Sequence, residues 1–478
     1  MRLTNVTRVV LPRGRVGSYA VRIVPDETRP LPVSFDQGRH VGAGDRPGSW
    51  MSIALRLPDG TTRDAVARAW DGVVAAHGTL RTVFSRDDAG AVRLHEGTAS
   101  AGEWSEHPLE GAGEGTGDGA GEGTGDGAGE GTVRDTIRQV FDARCRPFAA
   151  PSHRVALIEP GAGSASDGGT DAAPGGDPRP IAVIAADHAH VDMWSLLVLA
   201  RDLLARLGGE PASVVAEREP FAAHTRALAE RDPAPAEVHT AWREILDAEG
   251  GVMPRFPLPL GDLSAPRPEV VEVRDVLDAA ELAAFTARAE AAGVRATALA
   301  LSALARACAE VAGAPLRAVF PVHSRYEERW HDAVGWFITN SVIACADPDP
   351  RACAASLRLS LALGSHPLAP ILAPWGGMPQ SPGMFALSWL DVRRLPVRLA
   401  RDTEAQWVSA SIETDGVMIW FVVGDDGLHL RCRYPDTPEA LQNVGRWLDA
   451  VERAVRHDAG AVTAGESPAP GERVAARG

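Results

Sequence analysis

Residues 181 to 207 read IAVIAADHAHVDMWSLLVLARDLLARL, and the hydrophobic pattern changes once along them. The first five residues are apolar throughout, whereas 194 to 207 carry apolar residues at helical spacing, so the segment reads as strand, tight loop, helix. A histidine in such a loop faces a cleft instead of being sealed in a core. The rest of the chain alternates in the same way. SWMSIALRLP (49 to 58) and LRTVFSR (80 to 86) read as strands flanking a helix at 62 to 78, and HRVALIE (153 to 159) as an edge-like strand before IAVIA. In the second half, strands at 269 to 277, 316 to 323, 383 to 392 and 417 to 434 mix with helices near 279 to 291, 296 to 311 and 437 to 456.

A chain of 478 residues exceeds the size at which one hydrophobic core keeps growing. The expected fold class is therefore α/β, or α+β, with two lobes built on mixed sheets. The expected division is a first lobe over 1–209, a connection over 210–265 broken by MPRFPLPL, a second lobe over 266–457, and a tail over 458–478. Residues 111 to 132 repeat GAGEGTGD, with glycine at every second position, and offer no side chain able to bury area. That stretch, the loop at 160 to 180 and the tail are expected to be disordered, the repeat as an inert surface insertion.

Composition excludes several chemistries. All 48 basic residues are arginine, so no lysine is present for a P-loop, a Schiff base or a kinase strand. The net charge of −15 argues against nucleic acid as the main partner. The five cysteines (Cys145, Cys308, Cys345, Cys353, Cys432) are never spaced C-x-x-C and read as reduced thiols, neither a disulfide framework nor a zinc site. No window approaches eighteen consecutive apolar residues and the N-terminus lacks a signal-peptide core, from which a cytoplasmic location and no transmembrane segment are expected.

Within the loop, His188 and Asp192 form an H-x-x-x-D pattern. An aspartate four residues on can hold the turn through backbone or arginine contacts, leaving one imidazole nitrogen free to take a proton at neutral pH. A hydrogen-bonded structural histidine fits the local pattern equally well. Asp187 and His190 flank the motif, but residues at i and i+2 of an extended segment point to opposite sides, so no metal site is expected. The chain also has no G-x-S-x-G elbow, no H-E-x-x-H and no G-x-G-x-x-G after a strand.

DHAHVDMWS resembles the H-H-x-x-x-D-G-[WF]-S loop of non-ribosomal peptide condensation domains and of the chloramphenicol acetyltransferase superfamily. Further segments resemble the same family in the same order: LPVSFDQGRH (31 to 40), AAHGTLRTVF (75 to 84), RPFAAPSHRVALI (146 to 158), PVHSRYEERWHDAVGWFITNSV (321 to 342) and GLHLRCRYPDTPEA (427 to 440). SFDQGRHVGAGDRPGSWM with RYPDTPEA is most similar to the stand-alone polyketide-associated acyltransferases. The resemblance covers nearly all of 30 to 456. It implies two acetyltransferase-like lobes arranged as a V, with a tunnel at their interface.

The resemblance also implies roles. His188 matches the catalytic histidine, and Asp192 the structural aspartate that pairs with an arginine, for which Arg325 in PVHSR is the candidate. Trp194 and Ser195 match the start of the following helix, where Ser195 caps or contacts the intermediate. Trp336 and Asn340 lie in the segment resembling the latch between lobes. Asp187 stands where the family has its first, supporting histidine, and Met193 where it has a glycine, so that a thioether narrows the acceptor side.

The function implied is a free-standing acyltransferase that moves an acyl or aminoacyl group from a phosphopantetheine thioester to an amine or hydroxyl. No cofactor is expected, the phosphopantetheine arriving as part of the donor. The partners implied are an acyl or peptidyl carrier protein or acyl-CoA and a small-molecule acceptor, with the chain as a monomer. A catalytically silent protein that binds a carrier or partner enzyme is the alternative, and a condensing enzyme acting on two carrier-bound substrates is a third reading. The arginines at 393, 394, 398 and 401 are either a docking patch for an acidic carrier or a solvated face.

Overall fold

The computed structural model of the chain describes residues 1–109, 132–160, 177–209 and 218–460. The glycine–acid repeat up to 131, the loop from 161 to 176, residues 210–217 and the tail beyond 460 lie outside the described residues, and the helix Pro438–Asp458 runs into the start of the expected tail.

Two sheets organise the chain. The first has eight strands in the order Arg2–Asn5, Gln406–Ser409, Trp50–Arg56, Ile181–Asp187, His153–Pro160, Gly14–Leu31, Val92–His107 and Thr82–Arg86. Its pairs are antiparallel except that Arg2–Asn5 runs parallel to Gln406–Ser409. The second has seven strands: Ile338–Cys345, Leu316–His323, Phe385–Asp391, Val417–Gly424, Gly427–Pro435, Arg267–Asp278 and Glu413–Thr414. There, Phe385–Asp391 runs parallel to both neighbours. The architecture is the expected mixed α/β pair of lobes.

Helix placement follows from caps and apolar spacing. In Pro438–Asp458, Thr437 caps the N-terminus, proline fills the first turn where its missing N–H costs nothing, and Val444, Trp447, Leu448, Val451 and Val455 line the buried face. Trp447 meets Phe256 and Phe385 edge-to-face at 5.5 and 5.4 Å, at the centre of the second lobe's core. In the first lobe, Arg63–Ala76 and Met193–Leu207 bury Trp70, Val73, Leu196, Leu199 and Leu203 against Ile53 and Ile184. Val133–Arg144 contributes Ile137 and Phe141 to a cluster with Trp50 and Val183.

Three features differ from the sequence expectation. Gln406–Ser409 falls within the expected second lobe but sits inside the first sheet, where Trp407 is fully buried between Leu3 and Ile53. His153–Pro160, read as edge-like, is an interior strand between Ile181–Asp187 and Gly14–Leu31. Gly14–Leu31 and Val92–His107 form a long antiparallel pair that the sequence does not announce, because VRLHEGTASAGEWSEH is glycine-bearing, polar and half exposed.

All five cysteines are buried and free. Among the described residues no single helix is long and apolar enough to cross a membrane. The same residues contain no group of three or more histidine, cysteine, aspartate or glutamate side chains that could hold a metal ion.

Candidate active site

Ile181–Asp187 is buried along its whole length, and it delivers His188 to the loop that precedes Met193–Leu207. The His188 amide donates to Ser49 O at 2.9 Å, extending the pairing of Trp50 with Asp187 by one step. His188 Nδ1 lies 2.9 Å from Val191 O. A carbonyl can only accept, so Nδ1 carries the proton and Nε2 is left as the basic nitrogen. Among the described residues Nε2 has no hydrogen-bond partner. Burial, followed by the neighbouring His40, holds this imidazole below the ordinary histidine range.

Trp336 stacks on the His188 ring, with centroids 4.1 Å apart and planes 21° from parallel. It also lines a cavity of about 280 Å³, walled by Val33, Asp36, Phe221, His224 and Ile338 among others. Asn340 Nδ2 reaches Asp36 Oδ1 at 3.4 Å, so both residues of the latch-like segment touch the first lobe. A larger cavity, about 410 Å³, is lined by Glu249, Arg255, Cys308 and Arg317 in the second half and includes none of these residues.

Asp192 is the hinge of the loop. One carboxylate oxygen accepts from Ser195 N at 2.7 Å as the helix cap, and the other from Arg325 Nη1 at 2.6 Å and Phe337 N at 3.1 Å. Burial alone would raise this carboxyl, but the Arg325 charge and hydrogen bond, joined by the bonds from Ser195, hold it below its usual range. Arg325 spends its remaining donors on Ser195 Oγ, Ala333 O and Trp330 O at 2.7, 3.0 and 3.2 Å, with Phe337 and Trp194 over its guanidinium at 3.9 and 4.9 Å. The pairing expected of Asp192 and Arg325 is therefore present.

Ser195 is tied to Gly335. Its hydroxyl donates to Gly335 O at 2.8 Å and accepts from Gly335 N at 3.0 Å, and it is fully buried. Trp194 Nε1 donates to His331 O at 3.0 Å. Met193 opens the helix. Its carbonyl accepts from Trp407 Nε1 at 2.9 Å, and its half-buried side chain packs on the first lobe's apolar cluster. His190 turns the opposite way from His188 and bonds Ser152 Oγ at 3.0 Å. Three of the four arginines at 393 to 401 face carboxylates: Arg393 pairs with Asp391 at 2.9 Å, and Arg398 and Arg401 reach Asp425 and Asp426 at 3.6 to 3.9 Å.

The sequence reading missed His40. Its Nε2 lies 3.2 and 3.3 Å from the two oxygens of Asp187, and its ring centroid 6.1 Å from that of His188. The segment containing it was noticed, but a partner 147 residues away leaves no spacing signal.

No protein-family model matches the chain. The acyltransferase PapA3 of Mycobacterium tuberculosis is 26% identical over 226 residues, 44% of this chain and 48% of that protein, so the alignment spans about half the length of this curated relative. Among solved structures, the PapA2 acyl transferase superposes with a TM-score of 0.77 at 18% identity, covering 96% of this chain and all of that one. The first condensation domain of the calcium-dependent antibiotic synthetase gives 0.65 at 15% identity, over 91% of this chain and 97% of that one. SgcC5 from Streptomyces globisporus gives 0.62 at 16% identity, over 89% and 98%. At these identities the likeness is one of fold, and the chain shares the two-lobed condensation-domain fold of these structures.

Proposed function

We propose that the chain is a condensation-type acyltransferase that moves an acyl or aminoacyl group from a phosphopantetheine thioester, on a carrier protein or coenzyme A, to an amine or hydroxyl acceptor. The observation that carries this reading is the His188 tautomer: Nδ1–H is tied to Val191 O and Nε2 is unpartnered, on an imidazole that burial keeps neutral. Such a nitrogen accepts one proton at neutral pH.

The acceptor's lone pair attacks the thioester carbonyl carbon while its proton passes to His188 Nε2. The tetrahedral intermediate then collapses, the carbon–sulfur bond breaks, and the departing thiolate takes the proton back from the imidazolium. No acyl-enzyme is needed, because a thioester is already activated and orientation supplies much of the rate. The donor brings its own phosphopantetheine, so no resident cofactor enters the step. Support comes also from the names of the relatives, PapA3 and PapA2, both acyltransferases. The mainly apolar cavity beside Trp336 suits an acyl chain or a small acceptor.

The test is incubation of the full chain with a panel of acyl-CoA and acyl-carrier-protein thioesters and of amine and alcohol acceptors, read by product mass. Acceptor-dependent amide or ester formation that disappears in His188→Ala is expected. Absence of product across the panel, with binding of a carrier protein retained, would favour the silent binding protein instead.

A further inference from the structure

The acid–base step uses His188, yet the residue before it is a fully buried carboxylate that the step does not need. Asp187 accepts from Ser49 Oγ at 2.6 Å, from Ala189 N at 2.9 Å and from His40 Nε2. Behind His40 stands Arg46: its Nη2 lies 3.0 Å from His40 Nδ1, and its Nη1 donates to His40 O and Gly44 O at 2.9 and 3.1 Å. A guanidinium has donors only, so His40 Nδ1 accepts and its proton lies on Nε2, directed at Asp187. The His40 ring also meets Trp336 nearly edge-on, at 5.2 Å and 76°, on the same indole that stacks on His188.

We propose that Arg46, His40 and Asp187 form a charge-balancing chain that keeps His188 a neutral proton acceptor, with His40 as its positioning residue. A bare carboxylate one residue from an imidazole stabilises the imidazolium and would leave the base already protonated. Here the carboxylate is engaged by three donors, one of which is backed by a guanidinium. Its own titration follows the same logic: burial pushes it up most, and His40, foremost among partners that include His190 and Ser49, brings it below the usual range. The titratable and charged groups around His188 are Asp187 and His190 on its own segment, His40 and Arg46 from the helix Phe35–Gly42 and the loop after it, and the Asp192–Arg325 pair, whose charges offset each other. Among these, Asp187 favours the imidazolium and His40 opposes it, on a ring whose charging burial already disfavours. The same contacts fix geometry, since His40 supports the indole that covers the His188 face.

The inference rests on His188 as the proton acceptor but is tested without turnover. Histidine-selective 15N labelling of the full chain, with His188 assigned by its loss in His188→Ala, reads tautomer and titration midpoint by long-range 1H–15N correlation. In His40→Leu the His188 midpoint is expected to rise by about half to one pH unit, with the Nε2–H tautomer appearing. His40→Gln, whose amide N–H still reaches Asp187, returns both toward the wild type. Arg46→Met, at a half-exposed site, moves them the same way as leucine by a smaller amount. If His40→Leu fails to fold, Arg46→Met decides alone. An unchanged midpoint and tautomer in the folded variants overturns the inference. A shifted midpoint in a protein that transfers no acyl group would uphold the chain while removing the proposed reaction.

Discussion

Arg325 Nη1 lies 2.6 Å from Asp192 Oδ2, and neither side chain exposes more than 2% of its surface. The pair ties the start of the helix Met193–Leu207 to the second lobe's segment after Leu316–His323. Removing one partner of such a pair leaves the other charge buried and unmatched, at a cost of about 3–5 kcal/mol. Asp192→Asn and Arg325→Met are each expected to lose stability on that scale in urea unfolding followed by circular dichroism. The double variant should lose clearly less than the sum, because the residues share one interaction. Strictly additive losses would show that they do not act as a pair.

His188→Ala should leave the fold intact and lower turnover by about a hundredfold or more, the usual scale for a positioned base. Because burial depresses this imidazole, it is neutral down to a pH below the ordinary histidine value of 6.5. The acid limb of the kcat/KM profile is therefore expected below pH 6.5. A limb centred above 7 would assign the proton to another group.

A set of buried histidines makes stability depend on pH. Burial holds His153 at about 3 and His224 and His429 at about 4, and it lowers His77 and His190 as well. In the unfolded chain these rings titrate near 6.5, so as pH falls the unfolded state takes up protons first. Their contribution is fully present above about pH 6.5 and is lost as pH falls toward the folded values, by about 1.4 kcal/mol per pH unit for each histidine. A melting scan should show Tm dropping steeply between about pH 6.5 and 4.5, above the range in which most carboxylates titrate. A flat Tm across that interval would mean the rings are hydrated in the fold.

Much of this arrangement was legible in the sequence because it is local. The strand, loop and helix over 181 to 207 carry their own periodicities, and Asp192 caps its helix three residues ahead. The partner Arg325 was reached through a resemblance, not through any pattern that spans 133 residues. His40 and Ser49 escaped, and with them Arg46 behind His40, because their link to Asp187 is tertiary and no local spacing encodes it. The strand Gln406–Ser409 escaped for the same reason: four residues joining a distant sheet look like a loop until Leu3 and Ile53 flank Trp407.

Gly335 is a position where absence of a side chain is required. A Cβ there would lie 2.4 Å from Phe221 Cγ, and that ring is already held by Phe337 at 4.8 Å. Gly335→Ala should cost about 1–3 kcal/mol, the scale of overpacking. It should also disturb the adjacent Trp336, visible as a change in tryptophan emission and a loss of activity. Adding Phe221→Leu should recover part of the loss by making room. A Gly335→Ala protein with unaltered melting and emission would show that the loop simply moves aside.

Met193 separates the enzyme from a silent binding protein. Its backbone carbonyl holds Trp407, whereas its side chain is only half buried, on the apolar cluster beside the loop. Met193→Gly therefore keeps the backbone bond, and partial loss of one apolar side chain costs about 1–2 kcal/mol, measurable by thermal unfolding. His188 and its bond to Val191 precede the substitution and should persist. If the thioether merely narrows the acceptor side, the glycine variant keeps its activity and accepts bulkier amines and alcohols, with small acceptors little changed. If the chain is a silent binder, neither protein yields product with any thioester, while carrier-protein binding is the same for both. A folded glycine variant that loses activity present in the native chain would contradict both readings and assign the shape of the acceptor pocket to the methionine itself.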